Sequence, residues 1–127
     1  MTYSFENLLV WQKNHRFVLE TYRITRKFPE EEKYCLISQF RCAAISIEAN
    51  IAEGYKKISK ADKLRFYNIA QGSLEECRNY LILSRDLGYI ENEEFCLLHQ
   101  SLEETSKFLN AYCKAIVNNQ AMKEDWI

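Results

Sequence analysis

Histidine and cysteine side chains carry much of the chemistry that proteins perform, and this chain has 2 histidines and 5 cysteines. A helical bundle that holds two iron ions needs Glu-x-x-His pairs projecting inward from two helices. Here Gln12 stands three residues before His15, and Cys96 stands three before His99, so that motif is absent. The sequence also lacks a glycine-rich phosphate loop and a nucleophile elbow. It therefore predicts no enzymatic activity, no metal site and no cofactor.

The five cysteines are odd in number and include no Cys-x-x-Cys pair, which favours buried thiols of a cytosolic protein over a disulfide framework. Cys35 and Cys42 are seven residues apart and share one helical face, where they could meet a histidine to hold zinc. Cysteines at helical spacing more often pack in a core. For His15, which lies on an apolar seam, we likewise favour a packed and hydrogen-bonded side chain.

A row of small and amide side chains follows one line of a helix predicted in the first half of the chain. Gln39, Ala43, Ser46, Asn50 and Glu53 recur at spacings of four and three residues, so they stack on one side of the helix. An ordinary surface helix carries Lys and Glu at such positions. This row therefore indicates a face that meets another helix through hydrogen bonds.

Pairing of this helix with the next one extends the row into a predicted network. If the two helices turn about residues 55–59, Gln39 lies level with Glu76 and Arg41 lies level with Ser73. A partly buried carboxylate without a partner is costly, so we expect Glu76 to accept hydrogen bonds from Arg41 or Gln39. The network would fix the helix register or a subunit contact. Its predicted members are Gln39, Arg41, Ser46, Asn50, Glu53, Ser73 and Glu76.

Positive charge is concentrated between Tyr55 and Phe66. Five basic residues stand there against the single acid Asp62, which gives a local charge of +4. Such a patch can bind a phosphate backbone, and repetition around an oligomer would multiply its effect. The alternative is a solvated turn with no ligand. The candidate nucleic-acid-binding residues are Lys56, Lys57, Lys60, Lys63 and Arg65.

The length and composition indicate one all-helical domain. The 127 residues are 47% hydrophobic and include only 3 Gly and 1 Pro, and no long alternation of apolar and polar residues predicts a strand. The formal net charge of −1 provides no global positive field for nucleic acid or membranes. No signal peptide begins the sequence, and no apolar run approaches the roughly 18 residues of a membrane span. We expect a cytoplasmic protein with no membrane partner.

Apolar periodicity predicts two helices in the first half of the chain. The first runs from a cap at Asn7 to about Lys27. Its predicted seam contains Leu8, Trp11, His15, Val18 and Tyr22, and Val10, Phe17 and Ile24 widen it. The second runs from about Glu30 to Glu53, because proline and acidic residues suit a helix start. Gly54 is expected to end it in the left-handed conformation. The apolar stripe of the second helix is Leu36, Ile37, Phe40, Ala44, Ile47 and Ile51.

Two further helices are predicted in the second half. The third runs from a cap formed by Ser59 and Asp62 to about Leu87, and Gly88 ends it. Its predicted inward positions are Leu64, Tyr67, Ala70, Leu74, Cys77, Leu81 and Leu87. Because a glycine inside a helix costs about 1 kcal/mol relative to alanine, Gly72 indicates close approach of another helix. The fourth begins with Asn92 as its cap. Its predicted inward positions are Phe95, Leu98, Leu102, Thr105, Leu109, Tyr112 and Ile116.

Four helices with short connections predict an antiparallel up-down-up-down four-helix bundle that spans residues 1–127 as a single domain. The apolar pattern is lost over residues 119–127, which we expect to form a frayed tail. Trp126 lies in that tail, where it is either disordered or docked on a neighbour.

Several stretches resemble a known family. They include FENLLVWQ at residues 5–12, the run from Gln39 to Gly54 that ends in NIAEG, and GSL at residues 72–74 followed by Glu76. These motifs resemble the four helix bundle proteins first noticed as open reading frames within 23S rRNA intervening sequences. The resemblance implies a ring-like homopentamer without known enzymatic activity. A distant similarity to the accessory variability determinant of diversity-generating retroelements implies a basic surface that binds nucleic acid and a reverse transcriptase.

Three functional hypotheses follow, in decreasing order of support. The first is a non-enzymatic oligomeric scaffold that binds RNA or a ribonucleoprotein partner through the basic turn. The second is a protein-interaction module with no nucleic-acid role. The third, a metal-dependent or nuclease enzyme, lacks the metal ligands and acid-base residues that it would need.

Overall fold

The computed structural model describes residues 4–118, most of which lie in four α-helices. These are α1 (Leu9–Thr25), α2 (Leu36–Lys56), α3 (Lys60–Asp86) and α4 (Asn92–Val117). Short 3-10 turns at Phe5–Asn7 and Glu30–Glu32 precede α1 and α2. The described residues contain no strand, so the predicted all-α class is confirmed. The predicted tail at 119–127, with Trp126, lies outside these residues.

Ion pairs show that α1 and α4 run in opposite directions. Lys13 Nζ lies 3.1 Å from a carboxylate oxygen of Glu104, and Arg23 NH1 lies 3.3 Å from Glu94. Along the bundle axis, the residue numbers of α4 decrease in the direction in which those of α1 increase. Surface ion pairs of this kind contribute at most about 1 kcal/mol each to the free energy of unfolding. They therefore show how the two helices are aligned but add little stability. The matching pairs between α3 and α4 are Gln71 with Asn110 and Arg78 with Glu103.

The pairing of α2 with α3 is also antiparallel. The ring of Phe40 lies 6.0 Å from that of Tyr80, and Ser46 Oγ lies 2.8 Å from Ser73 Oγ. Further along, the ring of Tyr67 packs against Gly54. Each helix thus runs antiparallel to the next, which confirms the predicted bundle.

The core contains most of the predicted apolar positions. All of the α2 stripe is buried except Ile37, which is partly buried, and all of the α4 seam is buried except Phe95, also partly buried. Leu87 was predicted to face inward, but it follows the end of α3 and is 48% exposed. That prediction is wrong because the helix ends one residue earlier and the chain turns there.

The core side of α1 differs from its predicted seam. Val10, Phe17 and Ile24 are buried as predicted, as are Leu8 and Val18. Trp11, His15 and Tyr22 are only partly buried, and polar Asn14, Thr21 and Thr25 are buried instead. The threonine hydroxyls donate to carbonyl oxygens one turn earlier in the same helix, at 2.8 Å for Thr21 and 2.7 Å for Thr25. Because buried polar groups are tolerated once they are hydrogen-bonded, these positions join the core despite their polarity.

Three helix starts differ from prediction. Asn7 does not cap α1, since it lies in the 3-10 turn and Leu8 occupies the cap position. Asn92 is the first residue of α4, not its cap. The predicted second helix is interrupted after the turn at Glu30–Glu32, and α2 begins only at Leu36. The Glu32 carboxylate accepts hydrogen bonds from the backbone N–H of Leu36 and from the Tyr89 hydroxyl, at 3.4 and 2.8 Å.

The three glycines have three different surroundings. Gly54 does not end α2, which continues to Lys56. A Cβ atom at Gly54 would lie 2.7 Å from Cε1 of Tyr67, so close packing explains this glycine. Gly88 has a φ of 80°, which confirms the predicted left-handed end of α3. At Gly72 the predicted close approach is wrong for the single chain, because no described atom would lie within 4 Å of an added Cβ.

Candidate nucleic-acid interface at the basic end of the bundle

One end of the bundle brings α2, α3 and α4 together, and we call it the basic end after the cations of residues 55–66. Tyr67 packs on Gly54, and its hydroxyl donates to the hydroxyl of Tyr112 in α4 at 3.2 Å. Burial raises the pKa of both tyrosines above the ordinary value. The two phenols therefore stay protonated at neutral pH and join the three helices beneath the charged turn.

The turn itself is held by a cap at the start of α3. The backbone N–H of Asp62 donates to Ser59 Oγ at 3.1 Å, as the sequence predicted. A side-chain oxygen at this position satisfies one of the unpaired N–H groups of the first helical turn. Because α3 is capped here, its first residues present their side chains at fixed positions on the basic end.

Lys63 is engaged with the backbone of α2. Its ammonium donates to the carbonyl oxygens of Gly54 and Tyr55 at 3.2 and 2.8 Å, and burial lowers its pKa below the ordinary value. A cation at the last carbonyls of a helix is favourable because those groups lack partners and carry partial negative charge. Lys63, which the sequence predicted to bind nucleic acid, therefore caps the C-terminal end of α2.

Lys57 and Arg65 lie over the ring of Phe66. Lys57 Nζ is 4.9 Å and Arg65 Cζ is 4.8 Å from the ring centroid. Such cation–π contacts contribute on the order of 0.5–1 kcal/mol at exposed sites and hold both side chains near the aromatic surface. Lys56, Lys60 and Arg65 are exposed to solvent. The structure thus brings several cations and one aromatic ring to a single surface.

A groove of about 470 Å³ opens beside the basic turn. Phe5 comes from the first 3-10 turn, and Ala52, Tyr55 and Lys56 come from the last turns of α2. Lys57 follows the end of α2, and Ser4 and Glu53 complete the lining. Ile58, at the tip of the turn, is 99% exposed. Sequence reasoning missed this groove because its walls are far apart in the chain and no periodicity relates them.

The predicted polar network is only partly assembled within the chain. Ser46 Oγ lies 2.8 Å from Ser73 Oγ, and Asn50 Nδ2 donates to the carbonyl and hydroxyl oxygens of Ser46 at 2.8 and 3.1 Å. The structure therefore joins three of the seven predicted members. Three further predicted members of the network are exposed: Gln39, Glu53 and Glu76.

The predicted hydrogen bond between Arg41 and Glu76 is wrong. Arg41 turns towards α1, where its Nε donates to Thr25 Oγ1 at 2.8 Å and its guanidinium lies 4.5 Å from the ring centroid of Tyr22. Glu76 instead lies near Tyr80, whose pKa is raised by burial and by this carboxylate. The prediction failed because α2 does not end at Gly54, so Ser46 rather than Arg41 lies opposite Ser73.

Residues 6–111 match the family model described as the 23S rRNA-intervening sequence protein. The chain belongs to this family. A solved structure from Bacteroides thetaiotaomicron, described as a protein with unknown function from the S23 ribosomal protein family, is 26% identical to it with a TM-score of 0.77. That match covers 84% of this chain and 96% of the other. No curated protein matches the chain. The family resemblance read from the sequence motifs is thus confirmed.

In this member of the 23S rRNA-intervening sequence protein family, the histidine and cysteine predictions have mixed outcomes. His15 Nδ1 lies 3.0 Å from a carboxylate oxygen of Glu48 and its ring stacks on Trp11, so the packed histidine is confirmed. The predicted burial of Cys35 and Cys42 is wrong, because both are exposed. Cys96 is exposed as well, while Cys77 is buried and Cys113 is partly buried. Burial raises the pKa of the Cys77 thiol, and raises that of Cys113 to about 11.

Residues 4–118 contain neither a cluster of metal ligands nor a membrane-spanning helix. No three His, Cys, Asp or Glu side chains gather there in an arrangement that could hold a metal ion. None of the helices in the same range combines the length and apolar content that crossing a bilayer requires.

Proposed function

We propose that this family member is a non-enzymatic, cytoplasmic, oligomeric scaffold whose basic end contacts the phosphate backbone of RNA, either free or within a ribonucleoprotein. The observation that carries this proposal is the cluster that partly buried Lys57 and exposed Arg65 form over the ring of Phe66, with exposed Lys56 next to Lys57 in the chain. Cations held in place by an aromatic ring suit nucleic acid, because they can pair with the phosphates of its backbone.

The charge distribution limits how strongly one copy would bind. The chain as a whole has a net charge of −1, so attraction to RNA would come from the basic end alone. Lys63 is already engaged with backbone carbonyls, which leaves fewer cations for phosphate than the sequence suggested. Several copies presenting the same surface would bind one RNA more strongly than a single copy does.

Exposed positions on α3 support the oligomeric part of the proposal. Gly72 lies on the outer side of α3 with open space around it, between Ile69 and Glu76 at helical spacing. Ile69 is 44% exposed and Leu83, further along the same side, is 41% exposed. A glycine and apolar side chains on one helix face suit close contact with a second copy of the chain. A homopentamer is the assembly that the family resemblance implies.

The distant similarity to the accessory variability determinant that the sequence motifs suggest implies a basic nucleic-acid surface. That resemblance supports a phosphate-binding role for the basic end. It adds no base preference, since contacts to phosphates carry no direct sequence information.

Binding of a labelled single-stranded RNA tests the proposal through charge reversal. We expect Lys56→Glu with Lys57→Glu to weaken binding by at least about tenfold, and to flatten its dependence on salt, because each lost phosphate contact reduces counterion release. Fluorescence anisotropy at several salt concentrations measures both effects.

The chain offers a matched control in Arg26 and Lys27, two adjacent exposed cations just after α1, at the opposite end of the bundle. Reversing both changes the net charge by the same amount, and RNA affinity should change far less. Equal losses for the two double variants would show that only overall charge matters. Unaltered binding by the Lys56 and Lys57 variant would reject the RNA surface and favour the protein-interaction alternative.

A further inference from the structure

The groove at the basic end has an apolar floor and a basic rim. Phe5, Ala52 and Tyr55 supply carbon-rich surface, and the charged lining residues are Lys56, Lys57 and Glu53, which leaves one net positive charge. A volume of about 470 Å³ is within the range of pockets that hold small molecules or single large side chains. The groove therefore suits an aromatic side chain with acidic neighbours.

The end of α4 brings the rest of the chain to this groove. Tyr112, in the last turns of α4, is hydrogen-bonded to Tyr67, which packs on Gly54, two residues from Ala52. The chain then continues beyond Asn118 for nine more residues, 119–127. Nine extended residues reach about 30 Å, which exceeds the roughly 20 Å across two helix layers of a bundle. The groove is thus within reach of this segment.

The composition of residues 119–127 matches the groove. The segment reads NQAMKEDWI, in which Glu124 and Asp125 directly precede Trp126. Indole provides a large apolar surface with one N–H donor at its edge, and it gains free energy when it is removed from water. Two carboxylates beside it would meet the ammonium groups of Lys56 and Lys57. The groove and the segment thus each combine an apolar surface with charged groups, and the lysines of the groove are opposite in charge to the carboxylates next to Trp126.

We propose that the groove binds the chain's own C-terminal segment, residues 119–127. Trp126 packs on Phe5, Ala52 and Tyr55, and the adjacent carboxylates lie against the two lysines. Because the segment is tethered to α4, its effective concentration at the groove is on the order of millimolar, so a weak contact is sufficient. This inference concerns the chain alone, and a docked segment would compete with RNA for Lys56 and Lys57.

Fluorine NMR of the full chain labelled with 5-fluorotryptophan tests the docking. The chain has 2 tryptophans, Trp11 and Trp126, and Trp126→Phe identifies the signal of the second. We expect the Trp126 signal of the parent to differ from its position in urea and to show a reduced solvent isotope shift. Lys56→Glu with Lys57→Glu should move this signal to the urea position, as should Ala52→Arg, which places a cation and a long side chain in the groove.

Arg26→Glu with Lys27→Glu serves as the matched control and should leave the Trp126 signal unchanged. Circular dichroism of each variant verifies that the helices remain folded. The inference is overturned if the parent signal already lies at the urea position, or if neither groove variant moves it. A Trp126 signal that shifts on dilution would assign the groove to the segment of a second copy, and would also overturn docking within one chain.

Discussion

Gly54 and Gly72 lie in short motifs on paired helices, yet their surroundings are opposite. At Gly54, at the end of NIAEG, an added Cβ would lie 2.7 Å from Cε1 of Tyr67. At Gly72, at the start of GSL, nothing in the described part of the chain lies within 4 Å of the same atom. One glycine faces the tightest contact between α2 and α3, and the other faces outward.

The energetic consequence differs as well. A glycine within a helix costs about 1 kcal/mol relative to alanine, mainly because the unfolded chain loses more freedom. At Gly54 this cost is offset by the close packing of the Tyr67 ring, which also carries the hydrogen bond to Tyr112. At Gly72 no contact among residues 4–118 offsets it. The comparison locates, on α3, a glycine whose cost is not offset by any contact in the described part of the chain.

Gly54→Ala should give the largest effect. The new methyl group must displace the Tyr67 ring, and overpacking of this kind destabilises a protein by about 1–3 kcal/mol. This loss exceeds the stabilisation that alanine provides through its higher helix propensity. We expect a lower free energy of unfolding in urea with an unchanged slope.

The matched test repeats Gly54→Ala in a Tyr67→Leu background. A shorter side chain leaves room for the methyl group, so the penalty should disappear there, and the double-mutant cycle should show a coupling energy of about 1–3 kcal/mol. An equal penalty in both backgrounds would mean that the ring contact is not the cause.

Gly72→Ala should have the opposite sign in the isolated chain. With open space around the position, alanine should raise the free energy of unfolding by up to about 1 kcal/mol at dilutions where the chain is monomeric. If a second copy packs closely on this face, the same methyl group should weaken assembly, as sedimentation velocity would show. Glu75→Ala, at an exposed position on the same helix, is the control. Assembly that survives Gly72→Ala and the larger Gly72→Arg would place the contact elsewhere.

Apolar periodicity was sufficient to predict the helices and much of the core. The stripe of α2 and the seam of α4 are continuous, and burial follows them closely. The method failed on α1, where Asn14, Thr21 and Thr25 are buried. The hydroxyls of Thr21 and Thr25 donate hydrogen bonds to carbonyl oxygens of their own helix. Apolar periodicity cannot predict that such polar positions are buried.

The candidate site was less predictable because it depends on where helices end and how they align. The sequence placed the five cations around the connection between α2 and α3, but it could not show that Lys63 is engaged with carbonyl oxygens of α2. An early end assigned at Gly54 shifted the register of α2 against α3 and produced the wrong partner for Glu76. The groove requires Phe5 and Ala52 to meet, which only the packing of the bundle determines.

Glu76→Ala should give the smallest effect, although Glu76 lies one turn from Gly72 on the same outer side of α3. Its carboxylate is exposed and lies near Tyr80 of its own helix, so the free energy of unfolding of the monomer should change by less than about 0.5 kcal/mol. Ser73→Ala is the matched comparison, since it removes the hydrogen bond to Ser46 and should cost about 0.5–1.5 kcal/mol. A larger loss for Glu76→Ala than for Ser73→Ala would mean that this carboxylate has a buried partner after all. Glu76 would then be part of the packed contact between α2 and α3, as Gly54 is. The side of α3 that carries Gly72 and Glu76 would no longer differ from the side that packs on α2.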